Sequence, residues 1–128
     1  MPFETRSGKR YPITANVRFS VDEPMAGGVK LGVPEASVKG VLIDINAQGC
    51  GLDSPYLIPP NTMIRLEIDS TLFTEKFKHE RRGPIMVTGS VRSCVMKSVG
   101  HYRLGVFFKE IKQEDVAFLD NFIKRSQP

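Results

Sequence analysis

The stretch VKGVLIDINAQG, residues 38–49, alternates apolar and other side chains and then stops on a glycine. Val41, Ile43 and Ile45 recur at every second position, the period of a strand with one face buried. On that reading Asp44 and Asn46 leave the strand together from the opposite face and form one polar site, because side chains two apart share a side of the pleat. Gly49 follows where the chain must turn tightly or let another group approach its backbone, and Gly51 repeats that permission.

Upstream, Ile13, Ala15, Val17, Phe19 and Val21 alternate with Thr14, Asn16, Arg18 and Ser20, which predicts a strand over 13–21 with one wet face. Residues 24–37 carry Gly27, Gly28 and Gly32 and read as a long loop, with 29–33 offering a short edge segment. Downstream, a short strand over 50–54 precedes Pro55, Pro59 and Pro60, which interrupt regular structure. Ile64, Leu66 and Ile68 then mark a strand over 63–69. Residues 70–84 are charged and irregular, with Leu72, Phe73 and Phe77 free to pack. A long strand over 85–96 runs through Val87, Gly89, Val91 and Ser93, and another over 102–108 follows a turn near Gly100. Six antiparallel strands with no helix between them predict a closed barrel, since closure removes exposed edges. Val116, Leu119, Phe122 and Ile123 recur at helical spacing in 113–125, with Glu114 and Asp115 in the first turn and Lys124 and Arg125 in the last. The expected fold is therefore all-β with one C-terminal helix capping a barrel over 12–128, behind a flexible arginine-bearing tail at 1–11.

The chain has 128 residues, 41% of them hydrophobic, which suits one domain with a real core. No apolar run reaches membrane-spanning length and no signal peptide opens the sequence, so the reading is a cytoplasmic protein without membrane insertion. Cys50 and Cys94 lie far apart with no paired Cys/His spacing, against a zinc site or a disulfide scaffold. His79 and His101 have no ligand-like spacing either, and no metal site is expected. Nucleophile, base and carboxylate pair are all missing as a constellation, and Gly27-Gly28 lacks the Lys-Ser/Thr of a phosphate loop, so the sequence does not read as an enzyme.

The net charge of +4 is unevenly placed. Arg6, Lys9, Arg10 and Arg18 face only Glu4 near the N-terminus, and Lys76, Lys78, Arg81 and Arg82 are partly offset by Glu75 and Glu80. Such clusters suit an anionic partner or a solvated surface. DNA is not expected, because the chain has no tryptophan and no strand face carries a series of rings. An arginine fork pairs with phosphate oxygens or with guanine O6 and N7, and its flat face stacks on a purine. A carboxylate such as Asp44 accepts from guanine N1 and N2, and Asn46 both donates and accepts. The same residues also fit a plain basic tail and a turn-forming Asp/Asn pair.

Arg6-Ser7-Gly8-Lys9-Arg10 followed by Tyr11-Pro12-Ile13, then residues 44–49, then YRLGVFF at 102–108 resembles the PilZ domain family of cyclic di-GMP receptors, with its RxxxR and (D/N)xSxxG motifs. The resemblance covers nearly the whole chain. It departs from the pattern at Asn46, where serine is usual, and at Gln48, where a small residue is frequent. The resemblance implies a six-stranded PilZ-type barrel that needs no cofactor and binds cyclic di-GMP through Arg6, Arg10, Asp44, Asn46 and Gly49. It also implies that the tail closes over the ligand and that the change is passed to a bacterial effector protein not identified by the sequence. Its alternative is a PilZ-like module that leaves the nucleotide aside and acts only through protein contacts, at the Phe73/Phe77 loop or the proline-rich edge.

Overall fold

Strand β1 (Tyr11–Val21) buries Ala15, Val17 and Phe19 and exposes Thr14, Asn16 and Arg18, so its alternation becomes an inner and an outer face. The computed structural model describes residues 10–21, 25–26, 29–30, 37–71 and 83–126, of which 25–26, 29–30 and 126 as backbone alone. Arg6, the rest of the tail through residue 9, Leu72, Phe73, Phe77, His79 and the basic cluster Lys76, Lys78, Arg81 and Arg82 lie outside the described residues.

Among the described residues the short strands β2 (Met25–Ala26) and β3 (Val29–Lys30) pair only with each other. Of the edge segment expected near 29–33, the described residues 29–30 thus lie in a separate two-stranded sheet rather than in the barrel. Strands β4 (Val38–Ile45), β5 (Gly49–Ser54), β6 (Met63–Ile68), β7 (Ile85–Ser98) and β8 (His101–Ile111) join β1 in a closed antiparallel barrel, in the order β1-β4-β5-β8-β7-β6. Closure leaves an interior filled by side chains such as Leu42, Leu52, Ile64, Leu66 and Leu104, each fully buried. Removing side chains of this size from water stabilises the fold by about 1.5–3 kcal/mol apiece.

One expectation fails in β4. Val41 is outward and Leu42 inward, although Val41, Ile43 and Ile45 were read as one buried face. The register explains it: Leu42 faces Leu52 and Asp44 faces Gly51, so Ile43 is one residue more than β5 matches. This bulge resets the phase, which lets Leu42 and Ile45 both point inward with Asp44 outward. On the other side Pro12 faces Asp44 and Ala15 faces Leu42, so β1 carries one residue more again.

Helix α1 (Gln113–Ser126) starts with Glu114 and Asp115 and ends with Lys124 and Arg125, each sign at the end its dipole favours. Phe118, Leu119 and Phe122 enter the core, and the Phe122 ring meets Tyr11 edge to face at 5.4 Å. Phe118 replaces Val116 and Ile123, which are only half-buried, as the main contributor besides Leu119 and Phe122. No helix among the described residues is long and apolar enough to cross a membrane.

Candidate functional site

Three charged side chains from three separate segments meet on the outside of the barrel. Asp44 is turned outward by the β4 bulge. Arg10 immediately precedes β1, whose Pro12 is the direct partner of Asp44, and its Nη1 lies 3.5 Å from Asp44 Oδ1. Arg103 comes from β8 and donates from Nη2 to Asp44 Oδ2 at 3.2 Å. The carboxylate is thus held between two guanidinium groups, one on each oxygen. Asp44 is the more buried partner, with 21% of its side chain exposed against 32% for Arg10 and 39% for Arg103. Pairs this accessible contribute at most about 1 kcal/mol each, so the cluster is a poor investment if stability were its only use.

The floor of the site is glycine. Gly51 on β5 sits between Asp44 on β4 and Gly105 on β8. A Cβ on Gly51 would come within 2.8 Å of Asp44 Oδ1 and 3.1 Å of Arg103 Nε, because the Arg103 side chain crosses over this position to reach the carboxylate. A Cβ on Gly49 would run into the Val106 carbonyl oxygen and stand 3.2 Å from an Arg10 nitrogen. Both residues are needed for close approach rather than for an unusual φ.

Asn46 does something different from Asp44. It lies in the turn after β4, 7% exposed, and its Oδ1 accepts from the Gln48 N–H at 2.8 Å and the Gly49 N–H at 3.0 Å. The Asn46 N–H in turn donates to the Gly49 carbonyl at 2.9 Å. The two side chains do not form the single polar face that strand periodicity implied; Asn46 builds the turn that delivers Gly49. Gln48 is exposed, and its carbonyl accepts from Phe108 at 2.8 Å, tying the turn to β8.

Beneath the cluster Cys50 is fully buried, and burial pushes its thiol from 9.0 up to about 12, with Arg10 pulling it down and Asp44 pushing it up. A thiol held protonated in this way is no nucleophile. On the outer face, beside Gly49, Phe107 is 40% exposed under Arg92 at 4.9 Å and Lys109 at 5.4 Å from the ring centre. His101 pairs with Asp53 at 3.2 Å, away from Asp44. Among the described residues no group of His, Cys, Asp and Glu could hold a metal ion.

The structure therefore brings Arg10, Asp44 and Gly49 together and assigns Asn46 to the turn. Sequence reading passed over Arg103, Gly51 as the floor and the Phe107 ring. The signal for Arg103 was present within YRLGVFF, but only strand pairing shows that β8 lies one strand from Gly51 and two from Asp44.

No curated protein is similar enough in sequence to count as a relative. Among solved structures the fold is similar to the inhibitor of motility MotI/DgrA of Bacillus subtilis, at TM-score 0.66 and 16% identity over 95% of this chain and 51% of that one. It is also similar to Borreliella burgdorferi PlzA in complex with c-di-GMP, at TM-score 0.57 and 13% identity over 92% and 40%. The K. pneumonia MrkH-c-di-GMP complex gives TM-score 0.63 and 12% identity over 97% and 56%. The chain thus spans about half the length of the structures it matches. A family description, PilZ domain, matches residues 4–125, which takes in the arginine pair, the bulged strand with Asp44, all six barrel strands and nearly all of α1. By that match, made over a barrel on whose outside Arg10 meets Asp44, the chain belongs to the PilZ domain family.

Proposed function

We propose that this protein is a cyclic di-GMP receptor or adaptor that changes conformation on binding and signals to a protein partner. The observation that carries the reading is the docking of Arg10 on Asp44 over a glycine floor. Guanine N1–H and N2–H are donors of the same kind as a guanidinium edge, so the base can take the carboxylate now shared by Arg10 and Arg103. Arg10, with Arg6 from the tail, is then released to pair with phosphate oxygens and with guanine O6 and N7. Gly49 and Gly51 let the flat base lie close to the sheet, and Asn46 keeps Gly49 in place. Two of the structural neighbours are described with c-di-GMP bound, which supports the ligand class for this fold. The reading is a receptor, with no chemical step assigned to it.

Calorimetric titration with cyclic di-GMP, with unrelated nucleotides and with single-stranded DNA tests this. Saturable heat is expected for cyclic di-GMP alone. Arg6→Ala or Arg10→Ala should sharply weaken binding while shifting the melting temperature little, since both lie before the barrel strands. Unchanged affinity in both variants would sink the assignment, and silence from the unmodified protein would favour the module that acts through protein contacts alone.

A further inference from the structure

Past the end of β6, strand β7 continues with one edge that no described strand covers. β6 pairs with residues 85–90 of β7, and backbone bonds from Asn61 to Val91 and from Val91 to Thr62 extend the cover by one residue. From 92 to 98 the strand pairs, among the described residues, with β8 only. Antiparallel residues alternately turn their N–H and C=O groups toward and away from a neighbour, so half of these groups face outward. Among the described residues no other backbone bond reaches that edge. The side chains are open too: Val95, Met96 and, at the hairpin turn, Val99 are 51%, 56% and 88% exposed. Free donors and acceptors flanked by apolar side chains are a template for a further extended chain.

Charge narrows down which chain. Residues 92–103 include Arg92, Lys97 and Arg103 and no carboxylate. Arg103 is engaged with Asp44 and Arg92 lies on Phe107, while Lys97 has no ionic partner among the described residues. Register shifts fall at Arg92 and Lys97, so the two cations bracket the regular pairs formed by residues 93–96. A second copy of this chain, paired antiparallel about a twofold axis, would set Arg92 against Lys97 at both ends, which like charges disfavour. A nucleic acid would meet the charge but leave the row of backbone groups unused.

We propose that the β7 edge at residues 93–96 docks an extended segment of a protein partner, acidic at its ends and apolar between them, by strand addition. Neither Arg10 nor Asp44 takes part, so the inference stands apart from the nucleotide reading.

The test is an NMR titration of the isotope-labelled protein with a short capped peptide of alternating glutamate and valine, with its lysine counterpart and with single-stranded DNA. The acidic peptide should move the amides of residues 93–96 and leave those of β6 in place. In a variant carrying Arg92→Glu and Lys97→Glu, with β1 and β4 amides unchanged as the check on folding, affinity for the acidic peptide should fall about fivefold and the lysine peptide should gain. The proposal is overturned by silent amides at 93–96, by an equal response to both peptides, by a response to DNA alone, or by concentration-dependent shifts without any peptide.

Discussion

Gly49 and Gly51 stand two residues apart on one strand, yet a methyl group on each would meet different neighbours. At Gly51 the nearest atoms are the ends of the Asp44 and Arg103 side chains, which can swing away. At Gly49 the nearest atom is the backbone carbonyl oxygen of Val106, which cannot move without disturbing β8. Gly51→Ala is therefore expected to cost less than about 1 kcal/mol of stability while breaking the Arg103–Asp44 pair and weakening nucleotide binding. Gly49→Ala should cost about 1–3 kcal/mol, the range for overpacking. Urea denaturation of both variants, with calorimetry on whichever folds, checks the contrast. Equal stability losses would mean that the two positions are not distinguished by what lies above them.

At the scale of elements, a ring contact joins α1 to the start of β1 beside the site. Tyr11 follows Arg10 directly and packs edge to face on Phe122, which is 2% exposed. Phe122→Ala should cost about 3–5 kcal/mol by emptying that space. It should also loosen the start of β1, so cyclic di-GMP affinity falls in the same variant, whereas Phe122→Leu, which keeps most of the volume, should spare both. Equilibrium unfolding and titration of the two variants report this together; a loss of stability with unaltered affinity would separate helix from site. The sequence made the elements legible because alternation in β1 and β6 and the helical spacing of Leu119 and Phe122 are set by burial of contiguous residues. The phase of β4 was not legible, since a bulge is decided by the neighbouring strands and leaves no mark in the local pattern. For the same reason strand periodicity sets Asp44 and Asn46 on one face, although one ends on two arginines and the other on backbone N–H groups. Arg103 stands within YRLGVFF, but its part in the site is not legible there because its relation to Asp44 exists only across paired strands.

For the molecule as a whole, Cys50 ties stability to alkaline pH. The unfolded chain gives up this thiol's proton near 9.0, while the folded barrel holds it until about 12. The thiol's contribution to stability is thus intact below pH 9 and is lost as pH rises toward 12. Against a Cys50→Ala variant, which lacks the group, the stability advantage of the unmodified protein should shrink by about 1.4 kcal/mol on going from pH 8 to about pH 10. A constant gap in urea denaturation at the two pH values would show that the thiol titrates alike in both states. The barrel's staggered registers have a consequence of another sort. Between the same two rungs the chain takes one step on β5, two on β4 and three on β1. Extra residues of this kind bend and twist the strands that carry them, with β5 on the short path and β1 on the long one. The two extra steps amount to roughly 7 Å of additional chain along β1, at about 3.3 Å per residue. That slack carries Arg10 around the curve to the carboxylate, and a deletion of one residue between Pro12 and Ala15 would draw it back by about 3.3 Å, beyond the reach of an ion pair. The arginine's range of action is fixed by curvature before any ligand arrives.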